Sequence, residues 1–249
     1  MAFFRTNNPV YRASTFERVG VAVSESDAMT YGGTVGKTGL LFAILLAASV
    51  FGWTAPNPTA LLAMVFAALG VAIFTAFKPQ ASPFTAPIYA ALEGYVVGTI
   101  SLLFTVEAQG SKFSGIVPLA ILGTVAVFAV MLGLYATRII RVTQTFAMVV
   151  IGATLAIALT YVGTLVIGLF SKAVYDLPMF GAGPIGILFS VFVIVIAAMN
   201  LALDFYLIET GVESRAPKYM EWYCGFGLMV TLVWIYFEML RLLSKLSRR

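Results

Sequence analysis

Histidine is absent from this chain and cysteine occurs once, at Cys224. The first absence removes the usual proton shuttle near neutral pH and the commonest metal ligand. The second excludes an internal disulfide and a thiolate metal cluster, and Cys224 reads as plain packing. Charge is scarce as well: 10% of the residues are charged and 61% are hydrophobic. An average soluble domain carries about 25% charged residues. No nucleophile–base pair and no phosphate loop stand out, so the sequence carries no enzyme reading. Gly181–Gly186 fits the glycine spacing of a dinucleotide loop, but no strand–helix unit surrounds it. It reads as a loop before a helix, and no cofactor is expected.

What the chain has in abundance is long apolar runs. Seven are recognised, at about 38–55, 59–77, 85–106, 116–137, 146–170, 184–208 and 220–242. Runs near 20 residues match a hydrocarbon core of about 30 Å. A spanning helix satisfies its own backbone polar groups, so the expected class is all-α: a polytopic membrane protein with seven transmembrane helices. Residues 1–36 are polar and mixed, too polar for a signal peptide, and are expected to form a flexible cytoplasmic arm. Residues 37–249 form the seven-helix membrane domain. Ala55–Pro58 predicts a tight turn, and the three prolines of Lys78–Pro87 predict an irregular segment. Pro217 is placed to open the last helix. Trp53, Trp222, Tyr219 and Tyr223 fall at segment ends as interfacial anchors.

The net charge is +4, but the basic residues lie in tails and loops, where they set orientation and do not signal nucleic acid. With the N-terminus inside, the cytoplasmic side holds Arg5, Arg12, Arg18, Lys37, Lys78, Arg138, Arg141, Arg215 and Lys218. The other side holds Lys112 and Lys172, plus Arg241, Lys245, Arg248 and Arg249 at the C-terminal end. The loops favour a cytoplasmic N-terminus; the C-terminal cluster argues the other way.

Three acids interrupt the apolar runs: Glu93, Asp204 and Glu238. A charged carboxylate within a bilayer costs about 2.5–3.5 kcal/mol even on lenient scales, so such residues mark function by default. Glu93 precedes Gly94 and Gly98, a small-xxx-small pair that lets its helix approach a neighbour and turns the acid toward protein. Asn200 lies four residues before Asp204 and shares its helical face. Glu238 admits two readings: part of a switch, or a snorkelling partner of Arg241 three residues on. Helix arithmetic places Glu93 and Asp204 at similar depth and Glu238 about 25–30 Å further along. Two carboxylates in low dielectric cannot both ionise cheaply, so such a pair makes a proton-sensitive switch or a weak cation site. Calcium wants six to eight oxygens, so calcium here would be a weakly bound permeating ion.

Asn8-Pro9-Val10, Leu92-Glu93-Gly94, Asn200-Leu201 to Asp204-Phe205, and Ile235 to Leu243 (IYFEMLRLL) stand in an order and spacing that resembles the Bax inhibitor-1 family of membrane proteins. Within it, the bacterial YccA-type branch as found in actinobacteria is the most similar. The resemblance implies a seven-helix fold with the last helix central, wrapped by the other six. It also implies a pH-sensitive calcium leak channel of the bacterial plasma membrane, governed by two aspartates on the last two helices. Asp204 matches the first aspartate. Glu238 matches the second in local wording, with Glu for Asp and a longer spacing. An alignment from Tyr219-Met220-Glu221-Trp222 puts the second position near Met229–Val230, which is not acidic. Glu93 matches the family's membrane glutamate. The YccA-type branch also implies a second role, a non-conducting regulator or partner of a membrane-bound AAA protease or other membrane complex. Membrane lipids are the other expected partners.

Overall fold

The computed structural model describes residues 27–108, 115–171 and 177–248. Their elements are α1 (Tyr31–Thr54), α2 (Pro58–Phe77), a single 3-10 turn (Pro79–Ala81), α3 (Ser82–Glu107), α4 (Ile116–Ala136), α5 (Gln144–Phe170), α6 (Pro184–Glu213) and α7 (Met220–Ser247). The seven helices run from 20 to 30 residues, and each is long and apolar enough to cross a membrane. At 1.5 Å per residue that is about 30–45 Å, enough for a hydrocarbon core with some tilt. The all-α, seven-span expectation therefore holds.

Local chemistry sets the boundaries. Thr30 caps α1 by accepting from the Gly33 amide at 2.9 Å. Asn57 caps α2 by accepting from the Thr59 and Ala60 amides, with Pro58 at the first position, where a missing N–H costs nothing. Thr143 caps α5 through the Phe146 amide. Arg138 and Arg215 take left-handed φ values of 59° and 53° just past α4 and α6, the position that ends many helices.

Three boundaries differ from the sequence reading. Residues 31–36, assigned to the arm, belong to α1; residues 1–26 lie outside the described residues. The irregular stretch expected at Lys78–Pro87 shrinks to one 3-10 turn, because α3 starts at Ser82 and runs through Pro87. Proline inside a membrane helix is tolerated where neighbouring groups satisfy the freed backbone acceptors. Finally, α6 and α7 extend to Glu213 and Ser247, past the ends of their apolar runs.

The chain divides into two compact units. One comprises the residues up to Thr99 together with Asp204–Val230. Its α1–α3 contact is made by small residues. Cβ atoms at Gly94 and Gly98 would fall on the Leu45 and Ser49 carbonyls of α1, and one at Gly52 on the Tyr95 carbonyl of α3. Backbones this close leave no room for any side chain, which is how the small-xxx-small pattern packs membrane helices. Thr99 donates to the Gly52 carbonyl at 3.0 Å, and the Tyr95 hydroxyl accepts from the Asn57 amide and donates to the Ala55 carbonyl, both at 3.1 Å. The segment before α1 is stitched to the loop before α7. Met29 donates to the Ala216 carbonyl at 2.7 Å, and Lys218 to the Asp27 carbonyl at 2.9 Å.

The other unit comprises Ile100–Leu203 and Thr231–Arg249. Its core joins Ile157 of α5, Val193 and Ile196 of α6, and Trp234 of α7. The Ser101 and Tyr236 hydroxyls share a hydrogen bond of 2.6 Å. Half of the most apolar stretch of α7 is buried (50%), the largest share among the seven spans.

Candidate functional site

Glu93 lies on α3 one turn after Tyr89, whose hydroxyl is within the reach of its charge. An i, i+4 pair places them on one face. The Tyr89 ring in turn packs edge-on against Phe226 of α7, with centroids 5.0 Å apart and planes at 81°. Such T-shaped pairs favour a fixed ring position.

Asp204 comes to the same stretch of α7 from α6. Its Oδ1 lies 3.6 Å from where a Cβ would stand at Gly227, the residue after Phe226. Tyr223 and Cys224, one turn earlier on α7, lie within the reach of its charge. Asp204 of α6 thus meets α7 at Tyr223–Gly227, and Tyr89, one turn before Glu93 on α3, meets it at Phe226. Because residue 227 has no side chain, Asp204 approaches the helix surface closely.

Asn200 takes a different part. Its amide donates to Thr154 Oγ1 on α5 at 2.8 Å and to the Ile196 carbonyl at 2.9 Å. Both amide hydrogens are engaged there, so the polar spot expected of Asn200 and Asp204 is divided between different partners.

Glu238 belongs to the unit containing Thr231–Arg249 and is 1% exposed. Its Oε1 accepts from Arg241 at 2.6 Å and from the Tyr161 hydroxyl at 2.8 Å. The Arg241 guanidinium also sits 4.7 Å from the Tyr161 ring centroid. The ion pair was legible from the i, i+3 spacing; the tyrosine from α5 was not.

Two polar clusters escaped the sequence reading. Glu221, on the first turn of α7, is fully buried, pairs with Lys37, and accepts from the Thr30 amide and hydroxyl, each at 3.0 Å. A Cβ at Gly33 would fall on its carboxylate, so glycine there makes the room. Lys37 also lies 5.7 Å from the Trp222 ring centroid. The signal was the Thr30, Gly33, Lys37 spacing, which puts all three on one face of α1. At the other end of α7, Lys245 donates to the Met179 carbonyl at 3.0 Å and to the Gly186 carbonyl and Ser190 hydroxyl at 2.9 Å. Arg248 pairs with Glu107. Among the described residues no group of three or more His, Cys, Asp and Glu could hold a metal ion.

A family model described as Bax inhibitor 1 like matches residues 8–248, so the chain belongs to that family. No curated protein and no solved structure matches it significantly.

Proposed function

We propose that this member of the Bax inhibitor 1 like family is a pH-sensitive cation leak channel of the bacterial plasma membrane, with calcium as the permeating ion and the N-terminus in the cytoplasm. The observation that carries this reading is the approach of Asp204 to Gly227 of α7, beside Phe226, on which Tyr89, one turn before Glu93, is packed. Carboxylates supply hard oxygen ligands, and two of them provide too few for tight calcium binding. A cation would therefore be drawn in and released, not stored. Protonation removes the attracting charge, so the same groups that draw the cation sense the proton. Glu238 has a structural part in this account, because Arg241 and Tyr161 already occupy its Oε1.

The alternative, a non-conducting partner of a membrane-bound AAA protease or other membrane complex, would dock through a small-residue helix face or the polar N-terminal arm. The Gly94–Gly98 face is covered by α1. That reading now rests on the arm. Efflux from calcium-loaded liposomes holding the purified protein separates the two. A leak unchanged by pH and by Asp204→Asn rules out the proton-gated channel reading.

A further inference from the structure

The last turns of α7 carry a stripe of cations. Arg241, Lys245 and Arg248 stand at i, i+4 and i+7 and so share one face. That face lines a cavity of about 480 Å³. The cavity lies wholly among residues Ile100–Leu203 and Thr231–Arg249. Its volume is within the usual range for a small-molecule pocket. Phe104, Phe180, Phe189 and Tyr161 add aromatic lining.

Charge does not cancel among the described residues of the cavity. Arg241 is matched by Glu238 and Arg248 by Glu107. Lys245 is held by two carbonyls and a hydroxyl, all neutral oxygens. Among the described residues, three cations thus face two carboxylates, which leaves one positive charge beside aromatic side chains. Each arginine gives one N–H to its carboxylate, and a guanidinium has five. The arginine side chains are 43% and 55% exposed, so their remaining donors are open to a ligand.

Position narrows the ligand class. Glu107 ends α3, Thr164 lies in the last two turns of α5, Pro184 opens α6 shortly before Ser190, and Ser247 ends α7. Helix ends of membrane spans stand at headgroup level, and basic pockets between such helices take anionic lipid heads. We propose that this cavity binds one anionic phospholipid of the surrounding bilayer, its singly charged phosphodiester taking hydrogen bonds from Arg241 and Arg248 and attracted by the charge of Lys245, whose three N–H groups are already engaged, and an acyl chain against Phe104, Phe180 and Phe189. The same geometry gives the basic C-terminal cluster a function other than setting orientation.

Native mass spectrometry of the full-length protein in an uncharged detergent tests this. The probes are phosphatidylglycerol, phosphatidylcholine, oleate and inorganic phosphate. Phosphatidylglycerol is expected to stay bound in preference to the other three. Lys245→Gln should weaken it by about fivefold, the share of one basic residue near a charged head. Ala182→Trp fills the cavity while keeping every charge, and it should weaken phosphatidylglycerol at least as much. Equal retention of phosphatidylcholine overturns the proposal, as does binding that neither variant reduces. Preference for oleate or phosphate overturns the phospholipid as occupant.

Discussion

Asp204 on α6 looks onto Gly227 on α7, with its Oδ1 3.6 Å from the place a Cβ would take. That separation is an ordinary van der Waals contact, so alanine fits where glycine stands. Alanine also favours the helix by about 1 kcal/mol over glycine. Gly227→Ala should therefore fold with an equal or higher Tm, yet reduce cation efflux by covering the approach to Asp204. Thermal melts in detergent beside efflux from liposomes check both halves.

Gly98 behaves differently. A Cβ there would fall on the Ser49 carbonyl, which is backbone and cannot swing aside. Gly98→Ala should cost about 1–3 kcal/mol, the range for overpacking. Gly152→Ala, with open space around it, should be neutral or slightly stabilising. Comparing the two melting temperatures tests the α1–α3 contact.

Lys37 and Glu221 form an ion pair whose acid is fully buried. Removing one partner of such a pair costs about 3–5 kcal/mol, because the other charge is left uncompensated. Lys37→Met should approach that loss, and Lys37→Met with Glu221→Gln should recover part of it. A double-mutant cycle in denaturant measures the coupling; strict additivity would mean that the pair contributes nothing.

Tyr161→Phe removes a hydrogen bond to the Glu238 carboxylate. Bonds to charged groups contribute about 1.5–3 kcal/mol. The variant should lose stability in that range and leak calcium as the parent does. An altered leak would move Glu238 from the structural to the functional set.

Much of the fold was legible. Apolar runs marked seven spans, and Asn57-Pro58 fixed the start of α2. Hydropathy misses what lies past the greasy part of a helix, so the ends of α6 and α7 came out short. Their charged turns are helical because partners hold them, as Lys245 shows. The prolines before α3 misled in the opposite sense: Pro83 sits in a first turn, where proline is at home, and only Pro87 interrupts the ladder. Glu93 and Asp204 stood out because lone acids in apolar runs are conspicuous. Glu221 did not, since an acid at a helix start looks solvated and its lysine is 184 residues away in sequence. Backbone carbonyls, which hold Lys245 and Asn200, leave no mark in a sequence at all.

The most direct test is calcium efflux from proteoliposomes measured across pH for the parent, Asp204→Asn and Glu93→Gln. Efflux in the parent should fall as pH falls, because protonation removes the charge that draws the cation. Asp204→Asn should lower efflux about tenfold or more, corresponding to 1.4 kcal/mol or more of lost attraction, and flatten the profile. Glu93→Gln should shift the profile along the pH axis. Efflux that is insensitive to pH, or identical in all three proteins, would contradict a leak governed by these two carboxylates.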